Sequence, residues 1–485
     1  MEEGPPAPSQ YHFMREVRRP DWLRNWPGAV WLAVLAVGFG AMMSQVDASI
    51  VTLAYPTLQR HFNVSVGAVT WVGLAYMLTT VSTLVVLGRI SDMVGRKVIY
   101  VYGFGIFILG SVLCGVAPSL TVLVASRVLQ AIGGAMLQAN SVAIVVSSVP
   151  VASRTKALGF QAAAQATGLA LGPTLGGLML GVVSWRWLFL VNVPLGLIGL
   201  PAALLFIPRS RYLAPSRPLD WSGVGYLFVA VTLLLGSLSF AHTLGWSSPI
   251  ILGGLGIAVV AAAWFFRHEQ RTSDPLIAPS LLENLVIRKG LGAALLSYLV
   301  LFAMLFLVPF EMERGLHHGT ATAGLTLLSL PLAIAITAPF AGRVAHGIGS
   351  AKALLFASGV AAFGVGFVAV AHGSVSELVV GLAIMGVGIG LFNTVNNASV
   401  MGAVPVHDTG VGSGMLNMFR GIGTALGLAA GGALFVGLGG AGSVGTTIQT
   451  AFSQSAWVLA AGCVLAGVLG ASGARNGALA LTRSD

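Results

Sequence analysis

Three ionisable side chains stand inside long apolar runs of this 485-residue chain: Asp47, Arg127 and Arg420. Asp47 is the only carboxylate well inside such a run. If the run is a membrane helix, a central Asp costs about 2.5–3.5 kcal/mol and needs a cation, water or a proton. A carboxyl group passed between an apolar setting and a guanidinium changes its hold on a proton, so the chemistry on offer is reversible protonation. At the α-helical rise, Asp47 lies roughly 26 Å above the inner end of its helix. Arg127 lies roughly 10 Å below the outer end of an oppositely running one. The two share a depth and can meet, either as a proton switch or as a fixed structural ion pair. Arg420 lies roughly 18 Å into its own helix, near mid-membrane. It is expected to face a cavity, to receive the Asp47 carboxylate in one conformation or to hold an anionic substrate group, with pairing to backbone carbonyls as the structural alternative.

Arg127, Gln130, Gly134, Gln138 and Ser141 recur at helical spacing on one face. Asn393, Asn396 and Asn397 form a second polar face, extended by Gly386 and Gly390. Such faces are expected to line a water-filled interior, with interhelical hydrogen bonding as the alternative. Phe392 and Phe419 offer aromatic contact to an apolar ligand, although aromatic residues in spans commonly only pack. Glu311, Glu313, His317 and His318 cluster at the outer end of one run and read as solvated loop charge, with cation binding or pH sensing as the sharper alternative.

These residues need elements to hold them. Hydrophobic residues make up 56% of the chain and charged residues 8%, against roughly 25% charged in an ordinary soluble protein. Mean hydropathy is +0.88. So few charges cannot cover a soluble surface, which excludes soluble enzymes, nucleic-acid-binding modules and disordered scaffolds. The net charge of +10 is therefore read by location, with no nucleic-acid partner expected. Cys114 and Cys463 give neither a disulfide framework nor a metal site. Gly386-Val387-Gly388-Ile389-Gly390 lacks the strand and Lys of a nucleotide loop. No nucleophile–base, metal or paired-carboxylate constellation suggests an enzyme, and no cofactor is expected.

A helical span needs about 20 mostly apolar residues. Fourteen runs qualify, at about 29–55, 66–87, 98–117, 120–149, 157–181, 186–207, 221–243, 249–266, 289–310, 321–342, 351–371, 376–403, 409–437 and 453–472. With the amino terminus cytoplasmic, twenty of the 25 Lys and Arg fall inside, three (Arg60, Arg186, Arg314) outside, and two (Arg127, Arg420) within spans. The positive-inside rule predicts that asymmetry and puts both termini in the cytoplasm of a multi-pass cell-membrane protein. The excess of Arg over Lys hints at a GC-rich bacterial source.

An internal repeat organises the spans. The segment Gly88–Gly95 recurs as Gly342–Gly349. Gly168, Gly172, Gly176 and Gly177 recur as Gly423, Gly427, Gly431 and Gly432, and Gln138 as Asn393. The repeat sets Gln165 opposite Arg420. The fold expected is an all-α membrane protein: a tail at 1–28, a six-helix bundle at 29–207, two linking helices at 208–288, a second six-helix bundle at 289–472 and a tail at 473–485. Parallel repeats of this kind form a transporter architecture with the substrate site near mid-membrane.

Five stretches then resemble the major facilitator superfamily, in particular its fourteen-helix drug:proton antiporters. They are Asp47–Pro56 in span 1 and Gly88–Lys97 between spans 2 and 3. Arg127, Gln130, Gly133 and Gly134 follow in span 4, although Ala131 replaces a frequent glycine. Gly168–Gly177 with Pro173 lies in span 5, and Trp185–Pro194 opens span 6. The resemblance implies substrate/proton antiport driven by the proton gradient, with Asp47, Arg127 and Arg420 in proton coupling. It implies a gating loop at Gly88, Asp92, Gly95 and Arg96, with Asp92 helping to latch the halves on the inner side. Helix starts attract anions, so the start of span 13 near Asp408 and Thr409 is a candidate partner, and positive-inside anchoring by Arg89, Arg96 and Lys97 is the alternative. His346 replaces Asp92 in the second copy. It also implies a packing and gating bend at Gly172, Pro173, Gly176 and Gly177, with Leu428 at the Pro173 position of the repeat.

The function expected is multidrug efflux by a monomer in the lipid bilayer: a proton-coupled exporter of lipophilic small molecules such as drugs, antibiotics or secondary metabolites. The substrate cavity is expected at Gln130, Gln138, Gln165, Asn393, Asn396, Asn397, Phe392 and Phe419. Spans 2 and 10 carry no carboxylate and two arginines outnumber one aspartate, which favours neutral, zwitterionic or weakly anionic substrates. The alternatives are an exporter of lipids or of one metabolite, a nutrient importer or facilitator on the same fold, and a channel.

Overall fold

The computed structural model describes residues 16, 18–24, 26, 28–210, 219–370, 374–439 and 446–481. Most of the amino-terminal tail and the last four residues lie outside this set, as do the side chains of Pro173 and Arg314. In lipid the backbone must satisfy its own hydrogen bonds, so unbroken apolar runs become helices. Among the described residues there is no strand. The long helices are α1 (Ala29–Ile50), α2 (Val66–Val94), α3 (Arg96–Gly115), α4 (Leu120–Ser148), α5 (Arg154–Val182) and α6 (Asn192–Phe206). They continue as α7 (Trp221–Leu244), α8 (Pro249–Glu269), α9 (Leu285–Phe310), α10 (Thr320–Thr337), α11 (Ser350–Val370), α12 (Val375–Ala403), α13 (Thr409–Gly437) and α14 (Thr446–Leu481). Ser65 and Ser119 cap α2 and α4 by accepting backbone N–H bonds, at 3.3 and 3.4 Å.

Among the described residues thirteen helices are long and apolar enough to cross a membrane. The remaining expected span, α5, has ample length, but Gln161, Gln165, Thr167 and its glycines dilute its apolar character. It packs along α1, so it needs less lipid-facing surface of its own. In contrast, α8 leaves Ile250, Leu252, Ile257, Val259, Trp264 and Phe266 exposed. On a soluble protein that surface would be a liability; in a bilayer it is ordinary lipid contact.

The chain forms two compact units. The first comprises 1–232, 258–279 and 404–418. In it α1 packs on α5, α4 and α6, while α4 packs on α2 and α3, and α3 on α6. The second comprises 233–257, 280–403 and 419–485. There α12 packs on α10, α11 and α9, while α14 packs on α9 and α11. Five of these six pairings recur between the repeat-related helices, and the sixth, α1 on α5, is matched where Gly423 and Gly427 of α13 lie against Leu295 and Leu299 of α9. Gly110 lies against the Gln130 backbone, and its repeat partner Gly364 against that of Met385. Any Cβ there would prevent helices from approaching so closely.

The units differ from the expected bundles at two places. The linking helices α7 and α8 are each divided between units. The stretch 404–418, expected in the second bundle, groups with the first. The physical reason for the second difference is a set of hydrogen bonds from the loop after α2, described next.

Candidate functional site

The helix α1 runs to Ile50 and tightens into a 3₁₀ turn at Val51–Ala54, which leaves Asp47 one turn from its end. Its carboxylate accepts three side-chain hydrogen bonds. Arg127 Nη1 donates to Oδ2 at 2.7 Å. Gln130 Nε2 and Asn192 Nδ2 donate to Oδ1 at 2.9 and 2.8 Å. Arg127 and Gln130 lie one turn apart on α4, so one face of that helix supplies both groups. Gln130 also accepts from Arg127 Nη1 at 2.6 Å and donates to Ser111 Oγ on α3 at 2.7 Å. Arg127 Nε donates to Val72 O at 3.2 Å, and its guanidinium stacks 4.1 Å from the centre of the Tyr76 ring. Asp47, Gln130, Asn192 and Ser111 are fully buried and Arg127 is 1% exposed. A pair so desolvated holds only because almost every polar atom has a partner.

Asn192, Ser111 and Tyr76 are site residues that the sequence reading did not assign. Asn192 stands at the first residue of α6, where a polar side chain reads as an interfacial residue. Its signal was present only as one polar residue within the Trp185–Pro194 stretch.

The loop after α2 is a second polar centre. Gly95 ends α2 with φ of 126°, a backbone that favours glycine. Asp92 accepts from the backbone N–H groups of Gly410 and Val411, each at 2.9 Å, so it caps the first turn of α13. Arg96 donates to Asp92 Oδ1 through Nε and Nη2, at 2.9 and 2.8 Å, and from Nη2 to Val406 O at 2.8 Å. Arg89 pairs with Asp408 at 3.5 Å. Gly88 and Gly410 approach so closely that a Cβ on either would strike the other's carbonyl. Beside this loop Glu16 accepts from Ser210 N and Oγ, at 2.6 and 2.8 Å. Burial pushes the Glu16 carboxyl above the usual range, with the Ser210 bonds and Lys97 pulling the other way.

Other expected site residues are more dispersed. Arg420 is buried with its guanidinium 5.4 Å from the Tyr298 ring centre. Asn396 is committed to packing, donating to Gly290 O at 2.9 Å. Asn393 and Asn397 are buried with Oδ1 lacking a hydrogen-bond partner. Phe392 is 2% exposed within an apolar cluster that includes Ala353, Leu354 and Ala466, and with Ser297, Ser358, Ile389 and Cys463 it lines a small cavity. Phe419, Gln138 and Gln165 are half-buried, and the Gln138 carbonyl accepts from Asn417 at 3.0 Å. Gly172 is backed by Ser49 on α1, and Gly176 is buried. Gly177 is exposed with nothing beside it, so it is not a close-approach position. Pro173 lies within α5.

In the repeat, Leu382 and Met385 occupy the positions of Arg127 and Gln130, both fully buried. His346 is exposed where Asp92 is buried. The solvated reading of the α9 cluster is corrected for one member. Glu313, His317 and His318 are exposed, but Glu311 is buried, at 2% exposure. Among the described residues no group of three or more His, Cys, Asp or Glu side chains could hold a metal ion.

An all-helical span bundle with an internal repeat around a sealed ion pair defines a multi-pass membrane protein. A model of the Major Facilitator Superfamily matches residues 37–219 and 221–428, and the chain belongs to that superfamily. The superfamily is one of multi-pass membrane transporters rather than enzymes. It is 31% identical to the multidrug resistance protein Stp of Mycobacterium tuberculosis, over 67% of this chain and 60% of that protein. The match therefore spans less than two thirds of Stp. Identity to the riboflavin transporter RibZ of Clostridioides difficile is 30%, over 68% of this chain and 70% of that protein. The human organic anion transporter MFSD10 shares the fold at 17% identity, with a TM-score of 0.66 over 90% of this chain and 99% of that one.

Proposed function

We propose that the protein is a proton-coupled antiporter that exports lipophilic small molecules across the cell membrane by alternating access. One observation carries this reading: a fully buried Asp47 whose carboxylate accepts three donors, one of them the Arg127 guanidinium. An ionised carboxylate only accepts, and this shell only donates. A proton placed on Oδ2 turns that oxygen into a donor facing Arg127 Nη1, which is also a donor. The carboxylate charge that holds the guanidinium is then gone, which weakens the pair and frees the two groups to separate. Arg127 keeps Gln130 Oε1 and Val72 O as acceptors, so it stays solvated by protein while Asp47 moves. Protonation is thereby linked to a shift of α1 against α4 and α6.

Outward-facing, Asp47 takes a proton and substrate leaves; inward-facing, the proton leaves and substrate binds. Each proton supplies about 2.3 kcal/mol per 100 mV of membrane potential. The Asp92–Arg96 cap on α13 serves as the inner latch. Gln138, Gln165, Asn393, Asn397, Phe419 and Arg420 are the substrate contacts of choice, and Arg420 suits neutral, zwitterionic or weakly anionic molecules. The resistance function named for Stp supports a drug or antibiotic as cargo. The riboflavin transport named for RibZ keeps a single-metabolite carrier as the second reading.

The test is dye transport in everted vesicles under an imposed pH gradient, comparing wild type with Asp47→Asn over a panel of lipophilic fluorescent dyes. Expected is gradient-driven accumulation in wild type and its loss in the variant at unchanged protein level. Full accumulation by Asp47→Asn would end the proton-coupling assignment. Transport of riboflavin but no dye would favour the second reading.

A further inference from the structure

The outer end of α9 carries a buried acid that the ion-pair site does not use. Pro309 lacks an N–H and interrupts the helix ladder. Two residues later the chain widens into a π turn, Glu311–Gly315, a feature frequent at functional sites. Glu311 stands at the start of that turn, 2% exposed, with Oε2 buried and without a hydrogen-bond partner. Gly315 lies against the carboxyl: a Cβ there would come within 2.8 Å of Oε2 and 3.0 Å of Oε1. The glycine makes the room that the acid occupies.

No counter-charge answers it among the described side chains, a set that leaves out Arg314. The π turn packs on α9, α10 and α14. Helix α10 carries no titratable group. Helix α14 carries only Cys463 and Arg475, which lie roughly 25 and 43 Å along the helix from its first residue. On α9 the nearest are Tyr298, Lys289 and Arg288, the first already roughly 20 Å back along the helix. Phe310 meets Phe435 of α13, whose Arg420 lies roughly 22 Å further along that helix. On the turn itself are Glu313 and Arg314, followed by His317 and His318; Glu313 and both histidines are exposed. No ion pair to Glu311 forms among the described residues. A buried carboxyl whose Oε2 has no donor, with no cation beside it among the described side chains, exists least expensively by holding a proton.

We infer that Glu311 is a second proton-binding site, belonging to the carboxyl-terminal half and exchanging its proton with the outer aqueous phase. The step is a simple acid equilibrium, carboxylate plus proton to carboxylic acid, with no other reactant. Its participation in transport rests on the antiport reading above, in which the site carries a proton in addition to that on Asp47. The binding itself does not depend on that reading.

The experiment is infrared difference spectroscopy of the reconstituted full-length protein, titrated over its stable pH range. The signal is the carbonyl stretch of a protonated carboxylic acid in apolar surroundings. Expected is a titrating band present in wild type and Asp47→Asn and absent from Glu311→Gln. An unchanged band in Glu311→Gln, or one that persists at every pH, overturns the assignment. If Glu311→Gln does not fold, Glu311→Asp must shift the band, and an unshifted band refutes the site. The transport arm measures protons moved per dye in proteoliposomes, where Glu311→Gln should lower the ratio and leave dye binding intact. A titrating Glu311 band without any proton-driven transport would sink the antiport reading alone, so the two failures are separable.

Discussion

Asn192 donates its side-chain N–H to Asp47 Oδ1 at 2.8 Å, joining α6 to α1 across 145 residues of sequence. Both side chains are fully buried. The bond ties the start of α6 to Asp47, because the Asn192 donor keeps this partner only while the Asp47 side chain stays in place.

Asn192→Ala should therefore impair transport rather than folding. A hydrogen bond to a charged group contributes about 1.5–3 kcal/mol, so the loss corresponds to roughly a ten-fold or greater fall in gradient-driven dye flux. Asn192→Gln, with the same amide on a longer arm, should recover only part of it. Initial rates in everted vesicles at matched protein level check this. Wild-type rates in the alanine variant would mean the contact is structural.

Asp92→Ala should destabilise the protein measurably. It leaves Arg96 buried without its carboxylate and uncaps Gly410 and Val411. Breaking such a pair costs about 3–5 kcal/mol. Arg96→Lys should be milder but still harmful, because an ammonium cannot reproduce the fork that reaches Asp92 and Val406 together. Thermal unfolding in detergent, followed by loss of the monodisperse elution peak, gives the order wild type, Arg96→Lys, Asp92→Ala.

Two glycines in one motif should respond in opposite directions. A methyl group at Gly172 runs into Ser49, and overpacking of this kind costs about 1–3 kcal/mol. At Gly177 the added methyl meets open space, and alanine is the better helix former by about 1 kcal/mol. Gly172→Ala should lower the unfolding temperature and Gly177→Ala should keep or raise it. Equal losses from both would contradict the packing described for α5.

The docking of Glu16 should depend on pH. Burial raises its carboxyl above the value it has in a free chain. A raised acid stabilises the docked state below the free-chain value, and that contribution disappears as pH rises through the docked value. Tryptic cleavage after the exposed Arg18 should therefore accelerate, relative to Glu16→Gln, as the medium passes from mildly acidic to mildly alkaline. A ratio that stays flat would place the raised titration elsewhere.

Depth was legible from the sequence, because helix rise converts residue number into height. That arithmetic put Asp47 and Arg127 level, while the attraction of helix starts for anions made the start of α13 a candidate partner for Asp92. Rotation about the helix axis was less legible, because the polar faces of α4 and α12 look alike on paper. The first contains a bonded network and the second divides between a packed Phe392, a bonded Asn396 and two amides with an unpartnered oxygen. Glu311 was misread because charged residues past a Pro resemble a loop, whereas the π turn folds this one inward. The junction at 404–418 was legible only in part, since the partner of Asp92 was expected but not the reassignment of the whole stretch.

Leu382 and Met385 sit where the first repeat places Arg127 and Gln130, with the same helices pressed together around them. The two copies thus share a scaffold while differing in chemistry. A transplant of the guanidinium and amide into the oily twin would find a ready backbone and no carboxylate to greet them. Hydrogen-ion affinity can therefore drift in one copy without disturbing the architectural template that its sibling preserves.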